Sequence, residues 1–169
     1  MRIFVPTENG YLADEYSKHA TGDDVYAGQP VKSFPISLSK LPKKTQTIAL
    51  NLIDFDAVPV SGFPWIHWVA ANFPGTTREI TADVSRTNAI PHTHGRNSNA
   101  GSLVGNTDPA IFQNYTGPFP PDQDHDYSLT VYALNTKLDL AEGFWLNDLL
   151  HQINGHVLDT ATITLKGRV

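Results

Sequence analysis

Two apolar stretches decide the fold of this chain: residues 47–54 read TIALNLID, and residues 65–73 read WIHWVAANF. In the first stretch, Ile48, Leu50 and Leu52 recur at every second position, which is the period of a β-strand with one face in a core. The second stretch is apolar at nearly every position, as is typical of a central strand that is buried on both faces. Together they predict a β-rich core.

The rest of the chain extends this prediction outward. Residues 127–134 alternate in the same way and predict a third strand, and a fourth is expected near 161–165. Leucine and isoleucine follow helical spacing over 146–153, with a glycine beyond to end the helix. Residues 75–110 are polar and contain no long periodic run, which predicts a long irregular segment. We predict one mostly β domain over residues 1–169, with one or two short helices.

Composition excludes several classes of function. The net charge is −5, which argues against nucleic acid as a partner because phosphate contacts need clustered lysine and arginine. The chain has no cysteine, so disulfides, thiol nucleophiles and cysteine-based zinc sites are excluded. The first residues lack the apolar core of a signal peptide, and no apolar run is long enough to cross a membrane. We therefore expect a cytoplasmic protein without a transmembrane segment.

Three ionisable side chains fall on apolar strand faces or at strand ends: Asp54, His67 and His125. A buried carboxylate needs a partner, and a histidine would be held in one tautomer by it, with the other ring nitrogen aimed at a ligand. Two such imidazoles could donate to a phosphate or carboxylate oxygen. The hydroxyl of Tyr127 and backbone N–H groups near Gly117 could add further donors.

These residues also have plainer explanations. A single histidine in a strand is more often a satisfied core residue than a ligand, and Trp65 and Tyr127 fit as core aromatics. Residues 117–121, GPFPP, suit a stiff turn. An aspartate with two histidines could also hold a catalytic metal, and His92 and His94 would add ligands, although we expect this second pair to be solvated.

Four segments resemble, in order, the phosphatidylethanolamine-binding family in its bacterial and archaeal, Raf kinase inhibitor-like branch. They are residues 54–57 (DFDA), 65–68 (WIHW), 115–121 (YTGPFPP) and 125–127 (HDY). The similarity continues into the C-terminal part and covers roughly residues 30–169. Each motif is weak alone, but four in the right order are fairly specific.

The resemblance implies a fold, a site and a kind of ligand. The fold is an antiparallel β-sandwich of Greek-key type with short flanking helices. The site is a surface pocket for phosphate or a phosphorylated head group, without a cofactor. Its expected residues are Asp54, His67 and His125, with Pro121 and Tyr127 at the rim and Gly117, Phe119 and Trp65 completing the set.

Two further functions remain open beside this binding role. One is a metal-dependent or acid/base hydrolase built on the Asp54, His67 and His125 cluster. The other is regulation through a protein partner, since some relatives inhibit kinases, and homodimers occur among bacterial members. The chain also departs from the family pattern. Phe55 replaces a usual proline, Phe119 a small residue and Asp126 a common arginine, so the pocket walls and their charge are expected to differ.

Overall fold

The computed structural model describes residues 1–169. The ten strands are Arg2–Phe4 (β1), Val25–Tyr26 (β2), Gln29–Pro30 (β3), Ile36–Ser39 (β4), Thr47–Asp54 (β5), Trp65–Pro74 (β6), Glu79–Ile80 (β7), Thr93–His94 (β8), His125–Leu134 (β9) and Val157–Gly167 (β10). The α-helices are Val58–Ser61 (α1), Val84–Thr87 (α2), Pro109–Phe112 (α3) and Leu146–Gln152 (α4). Single 3₁₀ turns lie at Asp14–Tyr16, Gly22–Asp24 and Ser98–Ala100.

The strands form antiparallel sheets. A five-stranded sheet has the order β10-β9-β5-β6-β8, a three-stranded sheet has the order β1-β4-β7, and β2 pairs with β3 alone. The four strands predicted from hydrophobic periodicity are the four long strands of the larger sheet. The prediction of a mostly β, antiparallel fold is therefore confirmed.

The central strands are buried on both faces, as the apolar sequence of β6 predicted. One cluster of 19 buried residues takes side chains from both sheets, among them Ile36 of β4 and Leu50 of β5. A second cluster, of 8 buried residues, lies on the other face of the large sheet and joins Ala49 and Val69 to Leu149 of α4. Because the large sheet has a buried cluster on each face, the register of β5, β6 and β9 is fixed, and so are the positions of the side chains at their ends.

A β-bulge in β6 determines where His67 points. Ile53 pairs with Ile66, but the next residue, Leu52, pairs with Trp68, so His67 is the extra residue of the bulge. Strict alternation along this strand predicts that His67 shares a face with Trp65, Val69 and Phe73. The prediction was wrong for Val69, which lies in the second cluster, whereas Trp65 lines the same cavity as His67. Phe73 lies in the first cluster because the pairing of β5 with β6 has a further irregularity between Ile48 and Leu50. The bulge turns the imidazole toward the face that carries Asp54.

The helices are few and short. The helix predicted over residues 146–153 is confirmed as α4, and the other three α-helices are single turns of four residues. The polar segment 75–110 is more ordered than its sequence suggested, because it contains β7, α2, β8, a 3₁₀ turn and the start of α3. Its Asn97 is fully buried and donates to the carbonyls of Ile111 and Asn114, both at 2.7 Å. No helix combines the length and apolarity needed to cross a bilayer.

Candidate functional site

An open cavity of about 380 Å³ lies where β5 ends, β6 begins and β9 begins. Seven of the eight predicted site residues line this cavity: Asp54, Trp65, His67, Gly117, Phe119, Pro121 and His125. The antiparallel pairing explains the convergence, because Asp54 pairs with Trp65 on one side and with Tyr127 on the other. Segments that are distant in sequence therefore meet at one edge of the large sheet.

Asp54 is the fixed centre of the site. It is the last residue of β5 and is almost fully buried on the face of the larger core cluster. Its Oδ1 accepts a hydrogen bond from the backbone N–H of Ala57 at 3.0 Å, and its Oδ2 lies 2.8 Å from Nδ1 of His125. Both carboxylate oxygens are thus satisfied, which a buried carboxylate requires. The expected histidine partner of this aspartate is His125.

His125 binds a carboxylate through each ring nitrogen. Beyond the bond to Asp54, its Nε2 lies 3.0 Å from Oδ1 of Asp122. Burial acts to lower the pKa of His125, but the hydrogen bonds and negative charges of the two aspartates outweigh it and raise the pKa. The second nitrogen was expected to point at a ligand. That expectation was wrong for the protein as it stands, because Asp122 occupies this position.

His67 has the opposite character. Its Nδ1 lies 2.8 Å from the carbonyl of Thr116, which makes Nδ1 the protonated nitrogen and leaves Nε2 with a lone pair. Burial lowers the pKa of His67 to about 4, despite the hydrogen bonds that favour the charged form. The expectation that both imidazoles donate to a ligand is therefore corrected: near neutral pH, Nε2 of His67 is a hydrogen-bond acceptor.

Tyr127 lies beneath the cavity and does not line it. Only 1% of its surface is exposed, and its ring packs edge-on against His67 with centroids 5.1 Å apart. Burial, followed by the negative charge of Asp54, raises the pKa of its phenol. Its hydroxyl makes no hydrogen bond of normal geometry. The residue expected at the rim instead supports Asp54 and His67 from behind.

Gly117 contributes close packing but no free donor. Its N–H donates to the carbonyl of Pro30 at 2.8 Å, and the N–H of Thr116 donates to the carbonyl of His67 at 3.1 Å. The N–H groups of Thr116 and Gly117 are therefore not free to bind a ligand. A Cβ on Gly117 would lie 2.3 Å from the carbonyl oxygen of Tyr16, so only glycine fits this wall.

The mouth of the cavity is apolar. Phe119 lines it with about half of its side chain exposed, and Val60 and Val104 line it as well. Lys18 lies over the Phe119 ring, 5.9 Å from its centroid, and donates to the carbonyl of Pro120 at 2.7 Å. The large side chain at position 119 therefore narrows the mouth of the cavity and makes this wall apolar. Trp65 stacks on Phe63 at another.

The other two departures from the family pattern lie outside the cavity. Phe55 is exposed and does not line it. Asp126 is exposed, and its backbone N–H donates to Oδ2 of Asp56 at 2.8 Å. The charge change at position 126 therefore alters the outer surface beside the site and not its floor.

Sequence reasoning missed Asp122, Thr116 and Asn99. Thr116 and Asn99 line the cavity, and Asp122 is bonded to Nε2 of His125. The position of Asp122 in the sequence could have indicated its role, since it lies three residues before His125 and directly after the turn at residues 117–121. Nothing in the sequence marks Asn99, because it lies in the middle of the polar segment 75–110.

The expectation that His92 and His94 are solvated was wrong for His92, which is buried, whereas His94 is half-buried. The ring of His92 stacks on Phe73 with centroids 4.3 Å apart, and the ring of His94 is tilted against it at 4.2 Å. Burial lowers the pKa of His92 to about 4 and also lowers that of His94. Neither histidine lies at the Asp54 cavity. No group of three or more histidine and acidic side chains is arranged to hold a metal ion.

Comparison with known proteins gives consistent matches over most or all of the chain. Residues 4–168 match the family model described as phosphatidylethanolamine-binding protein. The uncharacterized protein YxkA of Bacillus subtilis is 44% identical over 169 residues, which is all of both chains. A UPF0098 protein of Methanothermobacter thermautotrophicus is 33% identical over 129 residues, covering 76% of this chain and 78% of that one.

Two crystal structures have the same fold. That of E. coli YbcL, described as a member of the mammalian PEBP family, superimposes with a TM-score of 0.76 at 22% identity and covers 99% of this chain and 98% of YbcL. That of the PEBP homologue CT736 of Chlamydia trachomatis gives a TM-score of 0.74 at 25% identity, covering 94% of this chain and 90% of the other. The chain belongs to the phosphatidylethanolamine-binding protein family, in the branch that contains the bacterial and archaeal YbcL and UPF0098 proteins.

Proposed function

We propose that this protein is a binding module for a small phosphorylated ligand, such as phosphate or a phosphorylated head group. The observation that carries the proposal is one buried, carboxylate-bound imidazole, His125, beside one neutral imidazole, His67, in the wall of an open cavity. A cationic imidazole donates a hydrogen bond to an anionic oxygen, and a neutral imidazole accepts a hydrogen bond from a P–OH group. Any regulation of a protein partner would be built on this binding.

The two histidines favour a phosphate that carries one proton. His125, with its raised pKa, would donate to a charged oxygen, and Nε2 of His67 would accept from a P–OH group. Phosphate and its monoesters lose their second proton near pH 6 to 7. We therefore expect affinity to fall as pH rises from 6 to 8, since both the ligand and His125 lose the protons that the contacts need.

The test is an NMR titration of the backbone amides with inorganic phosphate and with phosphoethanolamine at pH 6. His67→Asn is the informative variant, because its amide nitrogen replaces the Nδ1 donor to Thr116 but removes the Nε2 acceptor. His156→Asn is the matched control, since His156 is exposed and its ring binds Asn135 away from the cavity.

We expect millimolar binding by the wild type and the control, with shifts around His67 and Thr116, and at least fivefold weaker binding by His67→Asn. His67→Ala provides a second test if the asparagine amide reorients. Equal responses of the wild type and both His67 variants would refute the site. A steady rise in affinity between pH 6 and pH 8 would refute the protonated ligand.

A hydrolase that uses acid/base catalysis is the second candidate, and the opposite pKa shifts of His67 and His125 favour it. Two titratable groups pushed apart in this way suit a base and an acid at neutral pH. In that scheme, His67 would accept a proton from water and His125 would donate one to a leaving group. Turnover of p-nitrophenyl phosphate or p-nitrophenyl acetate that is lost in both His67→Asn and His125→Gln would support it, and turnover that survives both substitutions would exclude it.

A further inference from the structure

The two carboxylates on His125 differ in how firmly they are held. Asp54 is buried in the last position of β5, and both its oxygens are bonded. Asp122 lies on the loop before β9 with 53% of its side chain exposed, and it reaches Nε2 of His125 at 3.0 Å. The inner bond is therefore part of the core, and the outer bond is made by a side chain that water can reach and replace.

We propose that Asp122 is an internal competitor, which fills the ligand-binding nitrogen of His125 until an anion displaces it. The inference rests on the proposed function and names the residue that sets the affinity of the same site. A carboxylate oxygen and a phosphate oxygen make the same charge-assisted bond to an imidazolium N–H. Because Asp122 is tethered three residues away, its effective concentration at Nε2 is at least about millimolar, and every free anion must compete with it.

The loop around Asp122 is fixed on both sides, so displacement needs only a rotation of one side chain. Before it, the carbonyl of Pro120 accepts from Lys18 at 2.7 Å. After it, Asp124 accepts from the hydroxyl of Tyr11 at 2.8 Å and from the N–H of Val169 at 3.0 Å. Release of the Asp122 side chain into solvent leaves these contacts in place.

The charges around His125 also support displacement of Asp122 by an anion. The groups that face its ring are Asp54 from β5, Asp122 from its own loop and the neutral His67 from β6, with Tyr127 beside it on β9. One imidazolium between two carboxylates leaves the site with a net negative charge. An anion is therefore poorly matched to the closed arrangement, and it becomes well matched once Asp122 has left Nε2.

Competition and simple charge repulsion predict different results. A competitor lowers the affinity of every ligand by one common factor, whatever the charge of that ligand. Repulsion between charges grows with the ligand's charge and weakens as salt is added. Sulfate, a dianion, and acetate, a monoanion, therefore separate the two mechanisms.

The experiment measures binding of phosphate, sulfate and acetate by NMR titration at pH 6 to the wild type, Asp122→Ala and Asp122→Asn. Asp126→Ala is the matched control: it removes the same charge from an exposed aspartate beside His125 in sequence, without touching the ring. Because both aspartates are exposed, we expect every variant to fold. The ¹⁵N shift of His125 Nε2 reports the displaced bond directly.

We expect Asp122→Ala to bind all three anions about tenfold more tightly than the wild type, with equal gains for sulfate and acetate. The affinity of Asp122→Asn should lie between those of the wild type and Asp122→Ala. Asp126→Ala should change the affinity by less than about twofold. Asp122→Ala should also leave the ¹⁵N signal of Nε2 more sensitive to added anion.

Three other outcomes overturn the inference. If Asp122→Ala gains no more than Asp126→Ala while the wild type binds phosphate, Asp122 is not a competitor and the proposed function stands. A gain that is much larger for sulfate than for acetate, and that salt removes, assigns the effect to repulsion. Absence of binding in every protein, Asp122→Ala included, ends both the inference and the proposed function.

Discussion

Two pairs of neighbouring histidines lie in this protein, and only one pair forms a site. The rings of His92 and His94 are tilted against each other with centroids 4.2 Å apart, His92 stacks on Phe73, and neither imidazole is bonded to a carboxylate. His67 and His125 border an open cavity, and His125 is bonded to Asp54 at its inner nitrogen. The second arrangement raises the pKa of His125 and lowers that of His67, in the wall of an open cavity. Each pair contains a buried histidine, so the buried carboxylate and the cavity distinguish the two pairs.

The largest effect should come from removing the carboxylate of Asp54, which the His67 and His125 pair has and the His92 and His94 pair lacks. Asp54→Asn keeps an acceptor for the N–H of Ala57 but leaves His125 without its buried counter-charge, and this should lower the free energy of unfolding by about 3 kcal/mol at pH 6. The matched variant is Glu142→Gln, whose charge acts on His94 from an exposed position and should matter by less than about 0.5 kcal/mol.

Urea denaturation of both variants at one pH measures this contrast. If Asp54→Asn costs no more than Glu142→Gln, the carboxylate is not what distinguishes the two histidine pairs.

The next largest effect should appear at acidic pH, in the contribution of His92 to the free energy of unfolding. The pKa of His92 is about 4 in the folded protein and about 6.5 in the unfolded chain, so the unfolded chain binds an extra proton between these values. Stability is therefore lost as pH falls from 6.5 to 4. His92→Phe keeps the stack on Phe73 and removes this titration, so between pH 7 and pH 4 it should lose about 2 kcal/mol less than the wild type.

The control for this comparison is His156→Phe, because His156 is exposed. Thermal or urea unfolding at several pH values gives the slope for each protein. Identical slopes for wild type and His92→Phe would mean that the buried ring is protonated without cost.

The pH dependence of stability that comes from His125 should have the opposite sign to that of His92. Because its folded pKa is raised, its contribution to stability is complete below the unfolded pKa of about 6.5 and is lost as pH rises through the folded pKa. The wild type should therefore lose stability above pH 6.5 that Asp54→Asn does not lose. An NMR titration of the histidine rings checks the cause directly. A His125 signal that titrates below about 6.5, the ordinary value for a histidine, would contradict it.

The sequence predicted the strands of this site better than the directions of its side chains. Alternation in 47–54 and 127–134 placed Asp54 and His125 on core faces, because regular strands preserve parity over their length. It failed for His67, because one extra residue in β6 reverses the parity and no local pattern marks that bulge. Asp122 was missed because a loop aspartate is ordinarily solvated, although it lies only three residues before His125.

The smallest effect concerns whether His125 holds Asp54 alone or shares it with Tyr127. Tyr127 and Tyr115 are both buried, but the hydroxyl of Tyr115 donates to the carbonyl of Tyr16 at 2.6 Å, and that of Tyr127 has no partner of normal geometry. Loss of a satisfied buried hydrogen bond costs about 1 kcal/mol, and loss of an unpaired hydroxyl costs little or stabilises.

We therefore expect Tyr115→Phe to lower the free energy of unfolding by about 1 kcal/mol and Tyr127→Phe to change it by less than about 0.5 kcal/mol, measured by urea denaturation at pH 7. The pair controls itself, because each substitution removes one oxygen from a ring of the same size in the same core cluster. A larger loss for Tyr127→Phe than for Tyr115→Phe would mean that the phenol donates to Asp54. The carboxylate would then be shared by two partners, and the charge on His125 would depend on both.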